Sequence, residues 1–125
     1  MHILTDYSGL VINWISTLEG EADKRQGVCV GLSEILTSTS REMVMSFVDS
    51  LVPTVRLSLC DPDREVRVAA AKTFDALHTT VGSKALDDIL PHMLQQLSDP
   101  ELHDNTLDGL RQVINMSILY GKSLC

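Results

Sequence analysis

Aromatic residues are scarce in this 125-residue chain, with two Phe, two Tyr and one Trp. Strand-rich domains ordinarily use more aromatic and β-branched side chains than this, so a sheet-based fold is disfavoured. Basic charge is also short. Ten Lys and Arg stand against seventeen Asp and Glu, a formal charge of −7, and the clustered cations that hold a phosphate backbone are missing. A direct nucleic-acid site is therefore not expected. The three cysteines, Cys29, Cys60 and Cys125, are far apart, odd in number and without a C-x-x-C pair, which argues against a disulfide framework or a zinc module and suits a reducing compartment. No run of about 18 apolar residues is present to span a bilayer. The stretch from Met1 to Gly20 also lacks the basic start and apolar run of a secretory signal. The expectation is a cytoplasmic protein without membrane contact.

What the chain does have is Leu, Ala, Met, Glu, Asp and Ser in quantity, a helix-leaning composition, and an internal repeat. Val48-Asp49-Ser50-Leu51-Val52-Pro53 aligns with Leu86-Asp87-Asp88-Ile89-Leu90-Pro91, and Leu59-Cys60-Asp61-Pro62 with Leu97-Ser98-Asp99-Pro100, at an offset of 38. After each Asp-Pro, apolar residues recur on one face of a helix: Val66, Ala70, Phe74 and Leu77, then Leu102, Thr106, Leu110 and Val113 at an offset of 36. Upstream, Arg25 to Ile35 aligns with Arg67 to Leu77 at an offset of 42, and Val11, Ile12, Ile15 and Leu18 mark a helix before it. About three helix pairs result, over residues 7–38, 39–80 and 83–115, with 116–125 a divergent tail that frays. The fold class expected is an all-α solenoid.

Turn chemistry sets the expected boundaries. Asp61 and Asp99 are placed to cap the following helix, with Pro62 and Pro100 in its first turn, where a missing N–H costs nothing. Thr39-Ser40-Arg41-Glu42 has the form of a capping box. The predicted helices are 39–60, 62–80, 83–98 and 100–115. Pro53 and Pro91 fall inside first helices, where each removes a donor and crowds the carbonyl four residues back, so a kink is expected at both.

Internal Pro in a first helix, an Asp turn, then Val-Arg and Ala-rich positions in the second, carried by Pro53, Asp61, Val66, Arg67, Ala70 and Leu77, is the pattern of HEAT repeats. Residues 24–113 further resemble the very large HEAT-repeat activators of the general-control kinase that phosphorylates translation initiation factor two alpha. Lys24-Arg25-Gln26-Gly27-Val28-Cys29, Leu59-Cys60-Asp61-Pro62, Ala69-Ala70-Ala71-Lys72-Thr73-Phe74 and Leu107-Asp108-Gly109-Leu110 carry that resemblance. It implies a segment from the carboxyl-terminal third of a scaffold that associates with stalled ribosomes and with the translational stress kinase. It also implies a structural ladder: Glu19 and Arg25 share the six-residue spacing of Asp61 and Arg67, which in HEAT proteins puts an acid in a turn and an Arg on the inner helix. A ridge of Arg64, Glu65, Lys72 and Asp75 is the expected partner surface. A purely structural spacer is the alternative.

No catalytic, cofactor or metal residues emerge. Gly27 and Gly31 form G-x-x-x-G on a helix that follows a turn and not a strand, so close helix packing fits better than a phosphate cradle. His2, His78, His92 and His103 lack ligand spacing. Ser and Thr cluster at caps and turns and offer no triad, while Cys29 and Cys60, within apolar periodic segments, are expected to be buried. A stack of about three repeats without polar capping units should expose apolar end faces and self-associate or fold marginally.

Overall fold

The computed structural model describes residues 21–119. Six helices lie within them: α1 (Ala22–Ser38), α2 (Arg41–Met45), α3 (Val48–Leu59), α4 (Arg64–Val81), α5 (Lys84–Gln96) and α6 (His103–Leu119). They form an all-α solenoid in two layers. Helices α1, α4 and α6 pack side by side as the inner layer, and α2, α3 and α5 form the outer one. Helix α4 touches all five others. Its sequence explains how. Ala69, Ala70, Ala71, Thr73 and Ala76 are all buried, and such small side chains let neighbouring backbones come close on several sides at once. Val66, Phe74, Leu77 and Val81 then fill the space between the layers with Leu32, Leu36, Leu51, Val55, Leu59, Ile89 and Met93.

The first outer helix is not the single element expected over 39–60. Ser40 caps α2, its hydroxyl accepting the Met43 N–H at 3.3 Å, but the helix stops at Met45 and resumes at Val48. Ser46 ends α2: its N–H donates to the Met43 carbonyl at 3.1 Å in a tightened turn, and its hydroxyl donates to the same oxygen at 2.5 Å. Phe47 follows with φ −129° and ψ 14° and with its ring in the core. Val44, Val48, Leu51, Val55 and Leu59 keep helical spacing across this break and are all buried, so periodicity carries no mark of it. At the expected kinks, by contrast, α3 and α5 run unbroken through Pro53 and Pro91. Both prolines are exposed, leaving the carbonyls of Asp49 and Asp87 that each ring deprives of a partner on the solvent side.

The Asp-Pro turns differ from the expected caps. Helix α4 begins at Arg64, two residues later than predicted, and its N-cap is Asp63, whose Oδ1 accepts the Glu65 N–H at 2.9 Å. Asp61 instead closes the turn before it, accepting the Asp63 N–H at 2.9 Å. Asp99 does the same with the Glu101 N–H at 2.9 Å, and α6 starts only at His103. Pro62 and Pro100 therefore lie inside side-chain-closed turns and outside the helices. Helix α6 also runs on to Leu119, past the predicted end at 115. The helix expected before Gly20, with Val11, Ile12, Ile15 and Leu18, then Glu19, and the last part of the predicted tail lie outside the described residues.

Close approach is required at Gly109. A Cβ there would collide with the Leu59 carbonyl and press on the Met93 methyl, so α6 rests directly on the end of α3. Gly27 is the opposite case: among the described residues, nothing lies within 4 Å of where its Cβ would stand. Gly109→Ala should cost about 1–3 kcal/mol through overpacking against backbone. Gly27→Ala should be neutral or add up to roughly 1 kcal/mol from helix propensity. Urea unfolding monitored by circular dichroism measures both.

Candidate functional site

The charged side chains that bridge the inner helices form one connected line. Arg25 on α1 grips the Asp61 carboxylate with two bonds, Nε to Oδ2 at 2.7 Å and NH2 to Oδ1 at 3.1 Å. A planar guanidinium fork fits a carboxylate in this way, and such charge-assisted pairs are the stronger hydrogen bonds. The bond to Asp61 raises the Arg25 pKa further above its already high ordinary value. From the same turn, the Asp61 main-chain carbonyl accepts Arg67 NH1 at 2.6 Å, and the Pro62 carbonyl accepts it at 3.1 Å. Arg67 is buried on α4, and its Nε donates to Asp108 Oδ2 on α6 at 2.7 Å, with Asn105 Oδ1 at 3.4 Å from NH1. The sequence Arg25, Asp61, Arg67, Asp108 thus spans all three inner helices.

This arrangement differs from the spacing-based expectation. The six-residue pairing does place Asp61 beside Arg67, but through the main-chain carbonyl. The carboxylates pair instead with an Arg from the preceding inner helix, as Arg25 does with Asp61 and Arg67 with Asp108. Asp108 was missed because its counterpart by repeat offset is Lys72, which has no part in the line. Asp99, the counterpart of Asp61, is exposed. His103 stands where the repeat would place a third Arg, and it faces Asp104 in solvent at 3.2 Å.

Burial alone would raise the Asp108 pKa, but the hydrogen bond and charge of Arg67, helped by Gln112 and Arg64, outweigh it and hold the carboxyl below the ordinary range. Two hydroxyl clusters stitch the layer elsewhere. Thr73 donates to the Cys29 carbonyl at 2.7 Å and lies 2.9 Å from the Ser33 hydroxyl, joining α4 to α1. Thr106 reaches Gln96 Oε1 at 3.3 Å, and the Cys60 thiol donates to that same oxygen at 3.2 Å. Burial pushes both the Cys29 and the Cys60 thiols up, at Cys60 against the opposing pull of the Thr106 hydroxyl and the charges of Arg56 and Arg67, which disfavours the reactive thiolate at both.

Of the expected partner surface, Lys72 and Asp75 line a cleft of ≈ 490 Å³ between α1 and α4, closed at one side by Met116 of α6. Its remaining wall is rich in hydroxyls, Ser33, Thr37, Thr79 and Thr80 among them. Arg64 and Glu65 sit apart at the exposed start of α4, 3.9 Å from each other. The four residues therefore make two separate polar patches. Among the described residues no three His, Cys, Asp or Glu side chains gather as a metal site would require, and no helix is long and apolar enough to cross a membrane.

Comparison with known proteins identifies the repeat. Residues 51–81, which span α3, the Asp-Pro turn and α4, match the HEAT repeat family. The chain is 61% identical over 94 residues, 75% of its length, to the stalled ribosome sensor GCN1 of Homo sapiens. It is 46% identical over 95 residues to the eIF-2-alpha kinase activator GCN1 of Dictyostelium discoideum, and 37% identical over 94 residues to that of Saccharomyces cerevisiae. The match spans 4% of the length of each of these relatives. No solved structure matches the chain.

A carboxylate held below its ordinary pKa stabilises the fold above its unfolded-state pKa, and that stability is lost as pH falls through the folded value. Stability should therefore fall on acidification below about pH 4, the ordinary carboxylate range. Asp108→Asn should flatten part of that acid limb while lowering stability at neutral pH, as read from urea midpoints across the pH range.

Proposed function

Because the chain is a HEAT-repeat array homologous to a short segment of GCN1, we propose that it acts as a non-enzymatic scaffold segment for protein partners in the cytoplasm. The partners proposed are the ribosome and the kinase that phosphorylates translation initiation factor two alpha, in keeping with the sensor and activator roles that the relatives' names carry. The observation that carries this reading is the 61% identity extending over 94 residues, far beyond the single matched repeat. Such a length takes in several helices and the surfaces they present together.

On this reading, residues 7–38, 39–80 and 83–115 are successive repeats. Arg25, Asp61, Arg67 and Asp108 hold the inner helices in register, and the cleft with Lys72 and Asp75 is the surface offered to a partner. HEAT stacks present extended surfaces of this kind, and a polar cleft flanked by rigid helices costs little ordering on binding. A spacer role competes with it, supported by the burial of α4 against every other helix: such a stack could serve by rigidity alone.

The two are separated by binding of the full 125-residue chain to purified ribosomes by co-sedimentation, and to the kinase by pull-down, with circular dichroism confirming helix in every sample. Direct contact predicts binding to at least one of them, and about tenfold weaker binding for Lys72→Glu, the size of effect expected from one charge placed against its complement. A folded chain that binds neither would leave the spacer reading in place of the scaffold.

A further inference from the structure

The cleft between α1 and α4 has walls formed by two helices of the inner layer, within the stack. A cleft rich in hydroxyls and holding a lysine has the composition of a phosphate site, but its hydrogen bonds reverse that reading. A hydroxyl has one proton and two lone pairs. Thr37 donates its proton to the Glu34 carbonyl at 3.0 Å, Thr80 to the Ala76 carbonyl at 2.9 Å and Ser33 to the Cys29 carbonyl at 3.0 Å. What these side chains turn to the cleft is therefore oxygen lone pairs. Thr37 stands in the last turn of α1 and Thr80 in that of α4, where aligned peptide dipoles put partial negative charge. Neither last turn carries a Lys or Arg. Asp75 adds a carboxylate to the same wall.

The floor beneath these oxygens is apolar: Leu36 and Ala76 are buried, and Met116 closes one side. Acceptors around an apolar floor fit a side chain with an apolar stem and a cationic tip. Arginine has both, and its five N–H donors in a planar fork can reach two helices at once. We propose that the end of the cleft between Thr37 and Thr80 receives an arginine side chain of a protein partner, its stem on Leu36, Ala76 and Met116 and its guanidinium donating to the two threonine oxygens beside Asp75. Lys72 does not oppose this. It is exposed and stands eight residues before Thr80 on α4, about 12 Å along the axis, farther than the ~8 Å over which charge is screened at physiological ionic strength. There it meets an acidic group of the same segment. The proposal rests on the cleft being the partner surface and adds the chemistry of what enters it: a basic protein segment, and not the phosphates of RNA.

Titration of the isotopically labelled full chain with N-acetyl-arginine amide, and separately with inorganic phosphate, tests it by nuclear magnetic resonance. The arginine amide should shift the main-chain amides of Thr37, Ala76, Thr80 and Met116 saturably, and phosphate should shift none of them. Thr37→Lys, which places an ammonium in the seat, and Thr80→Val, which removes an acceptor at nearly constant shape, should each weaken arginine binding about tenfold. Ser98→Lys makes the same change in net charge at an exposed hydroxyl just after α5 and should leave the titration unchanged. Circular dichroism checks that every variant keeps its helix. No saturable shift with the arginine amide, the same amides moved by phosphate, or equal weakening by Ser98→Lys and Thr37→Lys would each overturn the proposal. Neither ribosome nor kinase enters this titration, so its failure removes the arginine seat and is read apart from any failure of the scaffold reading.

Discussion

The position of Arg67 is the constraint on which the inner layer depends. One guanidinium, buried on the central helix, bonds to the two carbonyls of the turn before its own helix and to a carboxylate on the next one. Burying such a group is expensive unless its donors are met, and here the turn and α6 must both be in register to meet them. The turn is in turn held from the other side by Arg25 on α1. The apolar core drives the helices together without direction. The arginine line specifies how far each has slid along its neighbour.

The small residues of α4 and Gly109 of α6 make that line reachable. Ala69, Ala70 and Ala71 bring neighbouring backbones close to α4, and Gly109 lets α6 rest on the Leu59 carbonyl one residue from Asp108. Were α6 lifted by a side chain at that point, Asp108 would move away from Arg67. Close packing and charge pairing are therefore not separate sources of stability here, since the first sets the distance over which the second acts. Thr73 and Thr106 fit the same pattern, because their hydroxyls satisfy neighbouring polar groups where the helices are nearest.

Much of this was legible in the sequence. Apolar spacing located α4 and α6, the 42-residue offset placed α1, and the 38-residue offset placed α5 and matched the two Asp-Pro turns to each other. Local chemistry was less visible. Asp61 and Asp63 are both good capping residues two positions apart, and only the closed turn decides that the second caps the helix while the first is left for Arg25. The break at Ser46 was hidden because apolar spacing continues through it. Asp108 lay beyond the reach of the repeat logic, because the register it completes is made by packing between helices, and its counterpart in the preceding repeat is a lysine. The cleft beside Lys72 and Asp75 brings together residues from three helices that no local spacing relates.

Under the proposed scaffold role, the residues that hold the stack in register and those offered to a partner are different sets. The arginine line is engaged internally, whereas the hydroxyl-lined cleft opens on the surface between α1 and α4. A HEAT stack serves as a scaffold to the extent that the first set keeps the second in place. The most direct test is a double-mutant cycle on Arg67→Met and Asp108→Asn, read by urea unfolding at neutral pH. An interlocked inner layer predicts a coupling of about 1–3 kcal/mol between the two sites. Additivity within about 0.5 kcal/mol would contradict it and leave the register to apolar packing alone.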